Sequence, residues 1–159
     1  MIELQSSEFN RVLPLVTGIK QAVLPYAICE GANPGRVFVD QRLEPQTALI
    51  WTTVGYYLLA GDPSQVSGLP ALNQVLTTVF VPASQASGEN SFILMLSDAG
   101  WKAHLPVLLP GRELIEIYRR PFAFDAAKFA AQGKWAERIP PGFCLQAVDA
   151  GLAEQTGIL

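Results

Sequence analysis

Residues 35–68 constrain the fold more than any other stretch: three short β-prone runs, a glycine-containing turn, then the start of a helix. The runs are Gly35-Arg36-Val37-Phe38-Val39-Asp40, Ala48-Leu49-Ile50-Trp51-Thr52 and Gly55-Tyr56-Tyr57-Leu58-Leu59-Ala60-Gly61. Short apolar runs bounded by Gly, Pro, Asn and Asp read as the strands of a meander. Gly61-Asp62-Pro63 stops the third run, because Pro63 brings no N–H to a ladder. The loop Gln65-Val66-Ser67-Gly68 then leads to Pro70, which suits a first helical position. Leu72, Val75, Leu76, Val79 and Phe80 have the spacing of one buried helical face, and Pro82 is expected to end that helix. A meander feeding a helix through such a loop can cradle a nucleotide-like cofactor on backbone N–H groups. Function turns on whether this loop still does so.

Before the meander, residues 6–16 read as a helix capped by Ser6 or Ser7, with Phe9, Val12, Leu13 and Val16 on one face. Pro14 predicts a kink or an early stop in it. Residues 19–29 read as a second helix containing Pro25, and Gly31, Asn33, Pro34 and Gly35 as a loop. After the long helix, Phe92-Ile93-Leu94-Met95-Leu96 has the pattern of a central strand covered on both faces. Asp98 is placed to cap a short helix carrying Trp101, Leu105, Leu108 and Leu109. Residues 112–124 read as a long strand, 126–136 as a helix, 143–148 as a last strand and 152–155 as a terminal turn. The order predicts an α/β (α+β) fold with one mixed, mainly antiparallel sheet flanked by helices. Residues 1–159 are read as a single domain in which 126–159 form a C-terminal extension of helix plus strand.

The totals narrow the partners. A length of 159 residues is that of one domain able to bury a core, and 50% apolar with 16% charged residues excludes disorder. With 11 basic against 14 acidic residues, the net charge of −3 gives no general attraction to nucleic acid or anionic membranes. The adjacent basic pair Arg119-Arg120 is too small for a nucleic-acid footprint. No apolar run approaches the ~20 residues of a membrane span, and no secretory signal opens the chain. No nucleic-acid or membrane partner is therefore expected, and the setting is expected to be cytoplasmic. Cys29 and Cys144 stand in no metal-ligand spacing and read as free thiols of a reducing compartment. No metal site is expected.

The order of elements resembles the GCN5-related N-acetyltransferase (GNAT) superfamily, in which paired helices precede an antiparallel meander that feeds helix, strand, helix and strand. More narrowly, Gly35-Arg36-Val37-Phe38-Val39-Asp40, residues 45–50 and 56–61, and Ile139-Pro140-Pro141-Gly142 resemble the N-terminal region of bacterial zwittermicin-resistance-type acetyltransferases. That resemblance implies a second, C-terminal acetyltransferase domain that holds the cofactor. The sequence stops at Leu159, where such a domain would begin, so it matches a stand-alone first half or a piece of something longer. In active members a Gln or Arg, two residues, Gly, one residue and a Gly or Ala present backbone N–H groups to the pyrophosphate of acetyl-CoA. The matching register here is Gln65-Val66-Ser67-Gly68-Leu69-Pro70. Gln65 and Gly68 fit and are the candidate cofactor-binding residues, whereas Pro70 has no N–H and Asp62 repels phosphate. The resemblance thus implies a degenerate loop. No cofactor is expected, and acetyl-CoA is the cofactor if the loop is functional.

Acetyl transfer needs a base for the amine, an oxyanion stabiliser and an acid for the leaving thiolate. By the resemblance the acid is often a tyrosine on the last main helix, but residues 101–109 hold none and offer Lys102 and His104. His104, the only histidine, lies off the helical face of Asp98 and reads as a surface or cap residue. Glu30, Asp40, Glu44, Glu113 and Glu116 can each supply a base, and Glu116 and Tyr118 alternate with Ile115 and Ile117 as on a solvated sheet face. No catalytic residue is assigned. Trp51, Tyr56 and Tyr57 are candidates to line a substrate cleft, or else core and cross-strand pairs. No serine elbow, phosphate loop or His/Cys cluster points to other chemistry. Three readings remain: a non-catalytic GNAT-like domain that shapes a substrate site or an interface, an active N-acetyltransferase on a small amine, and a small-ligand or dimerisation module. The expected partner is a second copy or a catalytic acetyltransferase domain.

Overall fold

Alternating side chains on adjoining strands give this protein two separate cores, one on each face of a sheet. In the computed structural model, β2 (Gly35–Val39), β3 (Thr47–Thr52) and β4 (Tyr56–Gly61) form the antiparallel meander expected from the sequence. A two-residue β1 (Ile2–Glu3), too short to be read from the sequence, pairs with β2, and β5 (Ile93–Leu96) pairs in parallel with β4. The order is β1-β2-β3-β4-β5. The structure describes residues 1–19, 22–52, 55–88, 91, 93–120, 122–133 and 138–156.

Val37, Ile50 and Leu58 lie in register and face Phe9, Val12, Val16 and Ile28. Their neighbours Phe38, Leu49 and Leu59 face Leu72, Leu76, Phe80, Trp101 and Leu108. Burying each such leucine or phenylalanine contributes ~1.5–3 kcal/mol, so the meander is held from both sides. Asp40 fixes the β2–β3 connection: one carboxylate oxygen accepts the N–H groups of Gln41, Gln46 and Thr47 at 2.9, 3.0 and 3.2 Å.

The prolines decide the helix boundaries. A 3-10 turn (Ser6–Val12), capped by Gln5 and Glu8 rather than by a serine, runs into α1 (Leu13–Val16), where Pro14 sits in the first turn and sacrifices no hydrogen bond. α2 covers Val23–Cys29, again with its proline in the first turn. The long helix starts as a 3-10 turn (Val66–Gly68), continues as α3 (Leu69–Val75) and does not end at Pro82. A π turn (Leu76–Phe80) widens it, Val81 N–H bonding to the Leu76 carbonyl, and α4 (Val81–Ala86) takes Pro82 in its own first turn. The 3-10 turn Ala99–His104 and α5 (Leu105–Leu108) come next, with the Asp98 carboxylate accepting Gly100 N–H at 2.6 Å as the cap predicts.

Three expectations about strands need correction. β5 is an edge strand with all four residues half-buried, not a central one, and Phe92 lies outside the described residues. Residues 112–120 run extended but join no ladder, and 122–124 are likewise irregular. Residues 143–148 form no strand either. All three runs carry the right composition; what two of them lack is a neighbour whose N–H and C=O groups complete a ladder, which no local pattern reveals.

The fold is therefore mixed α and β around a five-stranded, mostly antiparallel sheet. It occupies the first of two compact units, Met1–Pro121; the second is Phe122–Leu159. In that second unit α6 (Ala126–Ala131) and α7 (Ala150–Thr156) each begin at an aspartate, Asp125 accepting Lys128 N–H and Asp149 accepting Leu152 N–H, both at 2.9 Å. Lys134, Trp135 and Ala136, the end of the expected helix, lie outside the described residues.

One glycine is mandatory. Gly61 has φ +119°, and a Cβ there would stand 2.1 Å from the Gln46 carbonyl oxygen of the adjoining strand connection. Gly61→Ala is expected to lower unfolding free energy by roughly 2–4 kcal/mol, read as an earlier urea midpoint with an unchanged slope.

Candidate functional site

The β4–α3 loop is where the sequence places cofactor contacts, and its hydrogen bonds decide what it can hold. Its entry is pinned. The Gly61 carbonyl accepts Trp101 Nε1–H at 3.2 Å and the Ser97 hydroxyl at 3.4 Å, and Gly61 N–H donates to Ser97 Oγ at 3.2 Å. His104 Nε2 lies 3.0 Å from the Pro63 carbonyl, a bond made in the Nε2–H tautomer. The chain at Gly100 packs so closely that a Cβ there would reach Pro63 Cγ at 2.8 Å. His104 is thus half-buried against the loop rather than a free surface group.

Within the loop five backbone N–H groups already have acceptors. Ser64 N–H donates to Asp62 Oδ1 at 2.8 Å and its hydroxyl to Oδ2 at 2.7 Å. Gln65 N–H bonds to the Asp62 carbonyl, Val66 N–H to that of Ser64, Gly68 N–H to that of Gln65 and Leu69 N–H to that of Val66. Pro63 and Pro70 have no N–H to give. The Ser64 N–H and hydroxyl, with the Gln65 side chain, hold the Asp62 carboxyl below its ordinary range, so an anion already sits at the head of the helix. Gln65 is exposed and Gly68 half-buried. Gly68 has φ −81° and a Cβ there would meet nothing within 4 Å, so neither backbone nor packing requires glycine at that position.

The three aromatic candidates do not share a cleft. Trp51 and Tyr57 are cross-strand partners with ring centroids 6.0 Å apart, and both stack on Phe80, at 5.7 and 4.8 Å. Tyr57 is 1% exposed, a core residue, and Trp51 is covered by the Arg36 guanidinium at 5.2 Å, which Glu3 grips through both oxygens. Tyr56 points to the opposite face, as a neighbour on a strand must. Its hydroxyl accepts Arg119 Nη2–H at 3.3 Å, with the guanidinium 5.3 Å from the ring centroid.

Tyr56 opens onto a groove of ≈ 910 Å³ between β5 and residues 112–119. One cluster of chemistry-bearing groups lies on its rim. Lys102 pairs with Glu116, and the Tyr118 ring lies 5.9 Å from Lys102 Nζ, close enough for its hydroxyl to interact with the same carboxylate. The Lys102 bond lowers the Glu116 pKa, while the Glu116 carboxylate raises those of Lys102 and Tyr118. At neutral pH the three groups are a carboxylate, an ammonium and a protonated phenol. This juxtaposition was not readable locally, since Lys102 and the strand-like segment are separated by a turn. The other candidate bases are dispersed: Asp40 caps its turn, and Glu30 and Glu44 are exposed elsewhere. Among the described residues no group of three or more His, Cys, Asp or Glu can hold a metal. Both cysteines are free; burial pushes the Cys29 thiol up to about 12, which leaves it unreactive, and Cys144 is exposed.

A search among curated proteins returns no match. A family model for GNAT acetyltransferases matches residues 13–157, nearly the whole chain. With the mixed sheet, the meander and the loop-to-helix step in place, the chain belongs to the GNAT acetyltransferase family.

Proposed function

We propose that this chain is a non-catalytic GNAT domain that shapes a substrate site or an interface for a catalytic partner, in the manner of the N-terminal region of the zwittermicin-resistance-type acetyltransferases. The observation that carries the reading is the state of the β4–α3 loop. Five of its amides already have internal acceptors, and the Asp62 carboxylate brings a negative charge beside them. The residues present do not fit the pyrophosphate of acetyl-CoA, and no chemical step is derived through it. A cytoplasmic setting goes with this reading, supported by the two free cysteines, and the net charge of −3 speaks against a nucleic-acid partner.

Titrating acetyl-CoA to millimolar concentration against the full chain tests the proposal by thermal unfolding. A ligand at 100 times its Kd adds about 2.7 kcal/mol of stability. No shift in Tm is expected, and a saturating shift would overturn the reading.

A second reading, an active N-acetyltransferase on a small amine, is favoured by two observations. Gly68 is a glycine that nothing in the fold requires, as a residue kept free for close approach of a ligand would be. Glu116 and Tyr118 also offer a carboxylate base and a phenol acid side by side. Gly68→Ala separates the two readings. For a non-catalytic domain, Ala at this helical position is expected to leave stability unchanged or raise it by about 0.4–1 kcal/mol, with no change in any response to acetyl-CoA. For an enzyme, the same substitution weakens acetyl-CoA binding in the same titration.

A further inference from the structure

Three side chains of the segment after β5 reach across to carbonyls of the loop that leaves β4. Ser97 and Trp101 meet at the Gly61 carbonyl, and His104 bonds to that of Pro63, two residues further along. Helix type makes this possible. Residues Ala99–His104 wind as a 3-10 turn, in which positions three apart eclipse, so Trp101 and His104 project from one side. In an α-helix the same pair would diverge by about 60°. Their rings meet edge to face at 6.0 Å, the buried indole backing the imidazole. Gly100 sets how closely the turn lies against the loop. Its φ is not positive, yet a Cβ there would stand 2.8 Å from Pro63 Cγ and 3.0 Å from Asp98 Oδ1.

The tethers are unequal. At Gly61 the loop is held by a fully buried tryptophan and by Ser97, whose own N–H extends the β4–β5 pairing to the Leu59 carbonyl. At Pro63 it is held by one bond from a half-buried imidazole, made only while Nε2 carries a proton. Between the two tethered carbonyls lies Asp62, whose carboxylate and carbonyl accept the N–H groups of Ser64 and Gln65. Fixing the peptides on either side of Asp62 orients the acceptors on which the first bonds of the loop depend. The five N–H bonds of residues 64–69 all end on acceptors within residues 62–66, so they hold the shape of the loop and not its position. We propose that Ser97, Trp101 and His104 form a clasp that keeps the β4–α3 loop closed, fixed at Gly61 and releasable at Pro63. His104 is the positioning residue of the releasable end. The proposal rests on the non-catalytic reading above and deepens it: the loop is a joint held shut from outside, not a cradle standing open.

The test is amide hydrogen exchange on the full chain, read at Ser64, Gln65 and Val66 against the amides of β3. In the unaltered chain the three loop amides are expected to be protected. His104→Ala is expected to speed their exchange about fivefold, the effect of one net hydrogen bond, while β3 keeps its rates. His104→Gln, whose side-chain N–H can donate to the same carbonyl, is expected to restore protection. Gly100→Ala lifts the turn from Pro63 with His104 intact and is expected to act like His104→Ala; should it fold poorly, the two histidine variants decide. Four outcomes overturn the proposal: loop amides unprotected in the unaltered chain, loop exchange unchanged in either alanine variant, no rescue by Gln, or a rise shared equally by β3, which marks lost global stability. Exchange is read without ligand and the titration with acetyl-CoA, so failure of the clasp and failure of the non-catalytic reading are told apart.

Discussion

The end of β4 governs the rest of the structure. At Gly61 the chain must pass the Gln46 carbonyl at a distance no side chain tolerates, and the Gly61 carbonyl must receive both Trp101 and Ser97. These contacts join the end of β4 to two stretches far from each other in sequence: the β2–β3 connection, and the end of β5 with the turn after it. Because Ser97 comes directly after β5, the bond to Gly61 also sets how far β5 advances along β4. Because Trp101 is fully buried, the segment carrying it lies flat over the loop that leaves Gly61. Registration of the sheet and closure of the loop are one event.

Much of this was legible and some was not, for identifiable reasons. The meander could be read because its strands alternate and its connections carry Gly, Pro and Asp, signals that act within a few residues. The buried stripe of Leu72, Leu76 and Phe80 was readable from helical spacing, but the continuation past Pro82 was not. A π turn is an adjustment of backbone bonding with no marker in residue type. Strand identity failed where it depended on a neighbour: residues 112–120 have the composition of a strand and no ladder to join. The candidate site divided along the same line. That Pro63 and Pro70 bring no N–H to the loop is read directly from the sequence, whereas the tethers from Trp101 and His104 cross some forty residues and had no local signature. Of Trp51, Tyr56 and Tyr57, the first and last form the cross-strand pair that was the alternative to a cleft, with Tyr57 in the core, while Tyr56, on the opposite face by alternation, lines the groove.

The parallel step from β4 to β5 explains where the molecule is open. A meander closes each new strand against the last with a short turn, but a parallel neighbour requires a long crossover, here the run from α3 to α4. That crossover covers the face bearing Leu49 and Leu59, while the N-terminal helices cover the other. Within Met1–Pro121, residues 112–119 line the groove beside β5. Glu116 and Arg119 tether that segment through their side chains, to Lys102 and Tyr56. The Glu116–Lys102 pair is solvent-exposed, so water and salt screen it and it contributes little beside the buried cores.

The same weighing of magnitudes separates the scaffold from its chemistry. The meander and its two cores rest on many fully buried side chains, each worth ~1.5–3 kcal/mol, and no change in the loop touches them. The loop rests on hydrogen bonds worth about 1 kcal/mol net apiece. In that loop the N–H groups of Ser64, Gln65, Val66, Gly68 and Leu69 already have acceptors, beside a carboxylate held below its ordinary range. None of these bonds belongs to either core, so the turn can change residue by residue while the architecture of the family stays.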